Sequence, residues 1–331
     1  MKKKQRPTGV RKDTASFSWR HVLFGGGVFD NTSERPNKKG WDIFELGQKS
    51  FWAVPTAVPW DEPVREDPKY ADAIAAMLTF LCPGEKTAVT GASYISLQVK
   101  SEEAKLYFVE QALEEAKHYD ALRRLIPKIT GRPLPEPSPM VRLLYSFGVL
   151  DPNDVAFMMG NINIVGEHLA NQIFHKINHV AVDPTTRQII ALIGKDESRH
   201  IGAGQRFFPE VYPELKKRRS TILVKNLATT IILALASYEL VNPMQTLEID
   251  LAAMMDKMYC HYQDVVHGLP PFPEQAIRDM ILELLRKRTK VAIETIKDVT
   301  TPTGEVDVKR LLEACERAVH SPRALRELLA A

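Results

Sequence analysis

The chain carries one short pattern twice, as Glu115-Ala-Lys-His118 and Glu197-Ser-Arg-His200. A Glu and a His three residues apart lie on one face of an α-helix, where both reach the same point in space. Two further glutamates sit among apolar and small residues, Glu85 after Leu81-Cys-Pro-Gly84 and Glu167 after Ile162-Asn-Ile-Val-Gly166. A carboxylate buried in such surroundings without a counter-charge costs on the order of several kcal/mol, and coordination to a cation removes that cost. The four glutamates are 30, 52 and 30 residues apart. A step of that shorter length is half a helix, a turn and half a helix back, about 22 Å each way at roughly 1.5 Å per residue. It returns the chain to the same depth in a bundle, so antiparallel helices are the fold that brings these six residues together.

The remaining pattern agrees. From Asp67-Pro68 the sequence predicts a first helix to about Lys100, with Pro68 in its first turn and Pro83-Gly84 kinking it just before Glu85. A second helix is predicted from Glu102 to Ile129, ending at Gly131-Arg-Pro133. A proline-rich connector to Pro139 and a shorter apolar segment, Val141–Gly148, follow. A third helix is expected over Asn153–Val180 and a fourth from Asp183-Pro184 to about Phe208. Pro213, Pro243 and Pro273 mark the starts of three more, and Val306–Ala330 reads as the last. No alternating run with hairpin chemistry occurs, and no repeat of solenoid length. The expected fold class is all-α, a four-helix bundle core with additional C-terminal helices. Residues 67–331 are expected to form a single bundle domain. Residues 1–66 read as a flexible basic arm followed by an irregular aromatic segment, Trp41 to Trp60.

Composition excludes several classes. Hydrophobic content of 44% and charged content of 26% are ordinary for a soluble globular chain. The net charge of +3 conceals an asymmetry: residues 1–50 hold eleven Lys or Arg against five Asp or Glu. That basic arm lacks the density and interleaved aromatics of a nucleic-acid or membrane-binding segment, so neither partner is expected. Ile222–Leu235 is interrupted by Lys225 and Asn226 and is too short to span a bilayer, which makes it an expected buried core helix. No apolar stretch follows the basic start, and Cys82, Cys260 and Cys315 lack metal spacing, both consistent with a cytoplasmic location.

Each residue of the set also has an ordinary reading. Glu115 has Lys117 and Arg124 within reach for surface ion pairs, Glu114 competes with it as the inward residue, and Glu197 has Arg199 and Arg206. The spacing of three in the fourth helix favours Glu115, because Glu114 stands four before His118. The ordered set of Glu, Glu-x-x-His, Glu and Glu-x-x-His on four successive helices outweighs these readings and points to a dimetal site. Oxygen and imidazole donors suit two iron ions, or manganese with iron, better than zinc or copper. Such a site binds dioxygen as co-substrate. Cys82, one turn before Glu85, either lines a pocket or is a small buried thiol.

Several strings together resemble the ribonucleotide reductase small-subunit-like superfamily of ferritin-like di-iron carboxylate proteins: Phe51-Trp-Ala-Val-Pro55 with Trp60-Asp61, Glu114–His118 and Asp196–His200. The resemblance covers roughly residues 40–300. It implies Glu85, Glu115, His118, Glu167, Glu197 and His200 as metal ligands, and an electron relay from Trp52 through Asp196 to His118. The alternative for Trp52 is core packing. The similarity is greatest to the ligand-binding oxidase branch, through Pro83–Val89 and Asp196–Ile201, but Ala88 and Ile162 stand where that branch joins a Val to a Tyr.

Other departures narrow the function. Leu122 replaces the radical-storing Tyr of the reductase subunit, and no Tyr follows Tyr262. Ile193 stands where arylamine N-oxygenases carry an additional His. Asn171 stands where multicomponent hydroxylases often carry a Thr, either facing the site or as an ordinary bundle amide. Ala88, Leu122, Ile162, Asn171, Ile193 and Cys82 are therefore the candidate pocket residues. The expected activity is that of a dioxygen-dependent oxidase or monooxygenase acting on an apolar or lipid-like organic substrate by hydroxylation, desaturation or oxidative cleavage. No flavin or nicotinamide motif is present, so a ferredoxin or similar electron donor is expected, and the extra helices suggest a homodimer. The competing class is a ferritin-like protein that binds metal or lipid without turnover.

Overall fold

Two helical hairpins frame the site. The computed structural model describes residues 38–216, 233, 236–250 and, further on, 253, 254, 257, 260, 261, 264 and 265. Its elements are α1 (Lys38–Ser50), α2 (Val54–Ala57), α3 (Pro68–Gln98), α4 (Glu102–Thr130) and α5 (Pro139–Leu143). A π-helical turn, Leu144–Gly148, then leads to α6 (Val155–Met159), a π-helical stretch (Gly160–Gly166) and α7 (Glu167–Val180). Last come α8 (Pro184–Lys216), a 3-10 turn (Ser237–Leu240) and α9 (Val241–Thr246). No strand occurs among the described residues. The expected arm up to residue 37, most of the core helix at 222–235 and the helices after Pro273 lie outside them.

Short connections force α3 against α4 and α7 against α8 in antiparallel pairs. The helix ends are set locally. Asp67 caps α3 by accepting from Lys69 N at 2.9 Å, with Pro68 at the first helical position. Gly131 ends α4 in the left-handed region at φ 65°, and its N–H reaches Pro127 O at 2.9 Å. Asp183 caps α8 through Thr185 N at 2.8 Å and also accepts Arg65 N at 2.7 Å, tying the segment before α3 to the second hairpin.

Three expectations need correction. Lys38–Ser50 is not irregular but a helix, α1, which packs on α4 through two glycines seven residues apart. A Cβ at Gly47 would lie 2.6 Å from Glu110 Oε1, so a larger residue there would push the Glu110 carboxylate aside. Second, the expected helix at 153–180 is α6 and α7 with a π-helical stretch between them. Third, α8 continues beyond Phe208 through Pro213 to Lys216. Helix α3, as expected, runs from Pro68 through Pro83, and the Tyr145 hydroxyl donates to Phe80 O at 3.1 Å within it.

The core divides in two. One apolar cluster gathers Cys82, Leu122, Leu169 and Ile193 with Trp52. The other gathers Ala92, Phe108, Ile164, Ala203 and Phe207. On every long helix the boundary between the clusters falls at a glutamate: Glu85, Glu115, Glu167 or Glu197. A polar layer thus crosses the middle of an apolar bundle.

Candidate metal centre

All six residues of the sequence set meet in that layer. Glu115, Glu197, His118 and His200 are fully buried, and Glu85 and Glu167 are each 5% exposed. They form two groups whose donor atoms lie within 4.8 Å of one another. One group is Glu85, Glu115, His118 and Glu197, and the other is Glu115, Glu167, Glu197 and His200. Glu115 and Glu197 belong to both, the placement of carboxylates that bridge two ions.

The imidazoles are aimed. His118 Nδ1 lies 3.1 Å from Glu197, 3.3 Å from Glu85 and 3.5 Å from Glu115. His200 Nδ1 lies 3.1 Å from Glu115, 3.2 Å from Glu197 and 3.6 Å from Glu167. Each ring turns its Nε2 outward to a different carboxylate, His118 to Asp196 at 3.1 Å and His200 to Glu114 at 3.0 Å. Such an outer carboxylate fixes the tautomer and orientation of a metal-binding histidine. Within the cage, His118 Nδ1, Glu115 Oε2 and Glu197 Oε1 are buried and make no hydrogen bond, although the imidazole nitrogen is within ion-pair distance of both carboxylates. Buried polar atoms are rarely left so. A cation among these three atoms would satisfy them, and the second group likewise offers three carboxylates and one imidazole, that of His200, so the residues fit a pair of metal ions.

The outer carboxylates are themselves neutralised by buried cations. Arg199 bonds both, Glu114 and, at 2.7 Å, Asp196 Oδ1. Lys117 stands 3.4 Å from Asp196 and 3.8 Å from Glu114. Asp196 also accepts the Trp52 indole N–H at 2.8 Å, and the Trp52 ring stacks on His118 at 6.2 Å. Gln111 ties the cage from the other side, donating to Glu115 at 3.0 Å and Glu167 at 3.1 Å while accepting from Asn163 at 2.8 Å. Sequence reasoning missed Glu114, Arg199, Lys117 and Gln111 as members of the site. The charged run Glu114-Glu115 with Lys117, and Asp196 with Arg199, held the signal: paired charges inside an otherwise buried helix face.

Electrostatics follow from burial. Burial, then the neighbouring Glu197, holds the Glu85 carboxyl well above the usual carboxylate range, and burial with Glu115 does the same to Glu167. Burial also opposes ionisation of Glu115, but His200 and His118 outweigh it and keep Glu115 low. Burial opposes charging of the two imidazoles as well. Glu197 and Asp196 overcome it at His118, and Glu115 is the leading opponent at His200, so both are held well above the usual histidine value. Protons therefore occupy the places of metal charge.

The candidate pocket residues divide between the two clusters. Leu122, Ile193 and Cys82 are buried on one side of the layer, and burial pushes the Cys82 thiol up to about 12. Ile162, with partly buried Ala88 beside it, is on the other. Asn171 is engaged elsewhere: its amide donates to Ser198 Oγ at 3.3 Å on a partly exposed seam between α7 and α8.

No protein-family model and no curated protein matches the chain. Solved structures do. A Tyr-to-Phe variant of an R2-like ligand-binding oxidase with an aerobically reconstituted Mn/Fe cofactor aligns with TM-score 0.52 and 14% identity, over 72% of this chain and 95% of that one. A Gly-to-Leu variant with an Fe/Fe cofactor aligns with TM-score 0.51 and 14% identity, over the same shares. A protein from Synechococcus with aldehyde deformylating oxidase activity aligns with TM-score 0.49 and 16% identity, over 67% of this chain and 98% of that one. The two oxidase alignments establish the all-α ferritin-like bundle as the fold.

Proposed function

We propose that this ferritin-like chain is a dimetal oxidoreductase that uses dioxygen to oxidise an apolar or amphipathic organic substrate. Glu85, Glu115, His118, Glu167, Glu197 and His200 hold two iron ions, or manganese with iron. One observation carries the reading: two histidines and four carboxylates, two of them shared, converge in a buried layer as two groups of donors, and three of their polar atoms make no hydrogen bond. Ions so bound supply dioxygen reduction and removal of hydrogen from C–H bonds.

The chain's own residues do the rest. Glu115 and Glu197 set the spacing of the two ions. Asp196 and Glu114 orient the histidines. Gln111 fixes Glu115 relative to Glu167. Leu122, Ile193, Ile162 and Ala88 provide dry apolar walls that keep water from the reaction. Trp52, joined to His118 through Asp196, is the bridge across which electrons from a ferredoxin-like donor tunnel to the cage without Trp52 itself being oxidised. Hydroxylation, desaturation and oxidative cleavage are the reaction types this cage serves. A second copy of the chain completes a homodimer, and the protein works in the cytoplasm.

The test is anaerobic loading with Fe(II), with or without Mn(II), followed by rapid mixing with oxygen. Two metals per chain and a transient visible absorption that decays faster with an added apolar substrate are expected. Slow oxidation to mineral, with many irons per chain and no transient, would instead show a storage protein.

A further inference from the structure

Lys117, between the ligands Glu115 and His118, has contacts that its ion pairs with the outer carboxylates do not account for. It is 6% exposed, and its ammonium lies 4.9 Å from the centre of the Trp52 ring and 4.5 Å from that of Phe51. Its ion-pair partners are Asp196 at 3.4 Å and Glu114 at 3.8 Å, both already bonded to Arg199. Arg199 therefore balances those carboxylates in part without it. A lysine buried this deeply faces an aromatic pair that it does not need for pairing. A cation over an indole face is attracted to the neutral ring but repels the positive charge that forms when the ring loses an electron.

We propose that Lys117 insulates the metal cage by disfavouring one-electron oxidation of Trp52. The inference rests on the reading of the cage as an oxidising centre. In the step concerned, one electron leaves the indole for the oxidant that dioxygen generates at the two metal ions. No bond is made or broken, and the indole N–H stays on Asp196. An external reductant later returns the electron. With the ammonium in place, Trp52 yields an electron only to a strong oxidant, so oxidising equivalents go to the substrate and do not drain into the protein. A full charge 4.9 Å away disfavours ring oxidation by a factor on the order of a few hundred at an effective dielectric constant of about 20. The Asp196 carboxylate is present with or without the ammonium and leaves this ratio unchanged, but screening reduces it: at an effective dielectric constant of about 50 the expected effect is about tenfold.

The experiment compares native protein with Lys117→Met, which keeps the apolar stem over both rings, and Lys117→Arg, which keeps the charge. Metal-free protein is oxidised by a photogenerated ruthenium(III) complex, and the Trp52 radical is followed by transient absorption, with Trp52→Phe as the blank. Lys117→Met should give about a tenfold higher yield of the Trp52 radical, and Lys117→Arg a native yield. Lys117→Gln replaces Lys117→Met if circular dichroism shows the latter unfolded. Equal yields in native and uncharged variants overturn the proposal. Because no metal is present, this outcome is independent of the oxygen reaction. Peptide mass mapping after Fe(II) and oxygen then reads Trp52 oxidation in the loaded protein, where the uncharged variant should accumulate more. A tenfold radical yield with no oxygen reaction would sink the proposed function and leave the insulating role of Lys117 standing.

Discussion

Filling the cage with metal should expel protons, and the number follows from the site. In the metal-free protein Glu85 and Glu167 are held neutral by burial and neighbouring carboxylates, while His118 and His200 are held charged by the carboxylates around them. Glu115 and Glu197 stay ionised. Two carboxylates and two imidazolium groups sum to zero, as do four carboxylates and two divalent ions. The buried layer is electrically balanced in both forms, which lets the chain fold before it is loaded. Ligands must be deprotonated to bind metal, so loading two divalent ions releases about four protons per chain near neutral pH. The assay is anaerobic titration of metal-free protein with Mn(II) or Fe(II) in weakly buffered solution containing a pH indicator. Metal affinity should rise steeply with pH. Release of fewer than about one proton per pair of bound ions would refute the reasoning, because the cage would then already be stripped of its protons.

The same groups set the stability of metal-free protein. Glu85, Glu167, His118 and His200 have folded values raised above their unfolded ones, so the stability they contribute is present below the unfolded values and lost as pH rises through the folded ones. The melting temperature should fall as pH rises above about 6.5, the unfolded histidine value, and metal loading should flatten that slope in calorimetry. Glu115→Ala removes a ligand shared by both metal positions and should lose both ions, whereas Glu85→Ala should lose mainly one; elemental analysis distinguishes them. Arg199→Met leaves Glu114 and Asp196 short of a buried counter-charge and should destabilise by about 3–5 kcal/mol in denaturant titration. Gly204→Ala puts a Cβ 2.7 Å from Asn163 Cβ and 3.3 Å from its backbone, which cannot swing aside. Thermal unfolding should show a loss of about 1–3 kcal/mol.

The six cage residues were legible in sequence because helix geometry converts spacing into direction: a Glu and a His three apart share a face, and equal 30-residue steps return to equal depth. The all-α hairpins were legible for the same reason, with caps at Asp67, Gly131 and Asp183 marking their ends. What stayed hidden depends on contacts between distant segments. Lys117 and Arg199 look like surface cations, because only the folded bundle brings Glu114 and Asp196 together beneath them. Helix α1 was hidden within a stretch expected to be irregular, because only the folded chain brings Glu103 and Glu110 of α4 into the space beside Gly40 and Gly47. Burial pushes Glu110 up to about 7, aided by nearby Glu114, so near neutral pH it is about half protonated beneath α1. Asn171 is one turn past Glu167 and points by register toward the site, yet its amide is taken up by Ser198.

The π-helical stretch before Glu167 gives one ligand a mechanical freedom the other three carboxylates lack. The Glu167 backbone N–H donates to Ile162 O, five residues back instead of four, and a Cβ at Gly166 would lie only 2.9 Å from Asn161 O. A wide turn holds one residue more than an α-helix needs over the same length. That surplus can travel along the helix like a ruck in a carpet, each step exchanging one hydrogen bond for another and rotating the residues it passes. Glu167 stands where the ruck ends. A one-residue shift of that turn would rotate the Glu167 carboxylate relative to those of Glu85, Glu115 and Glu197, whose helices carry no π-helical turn.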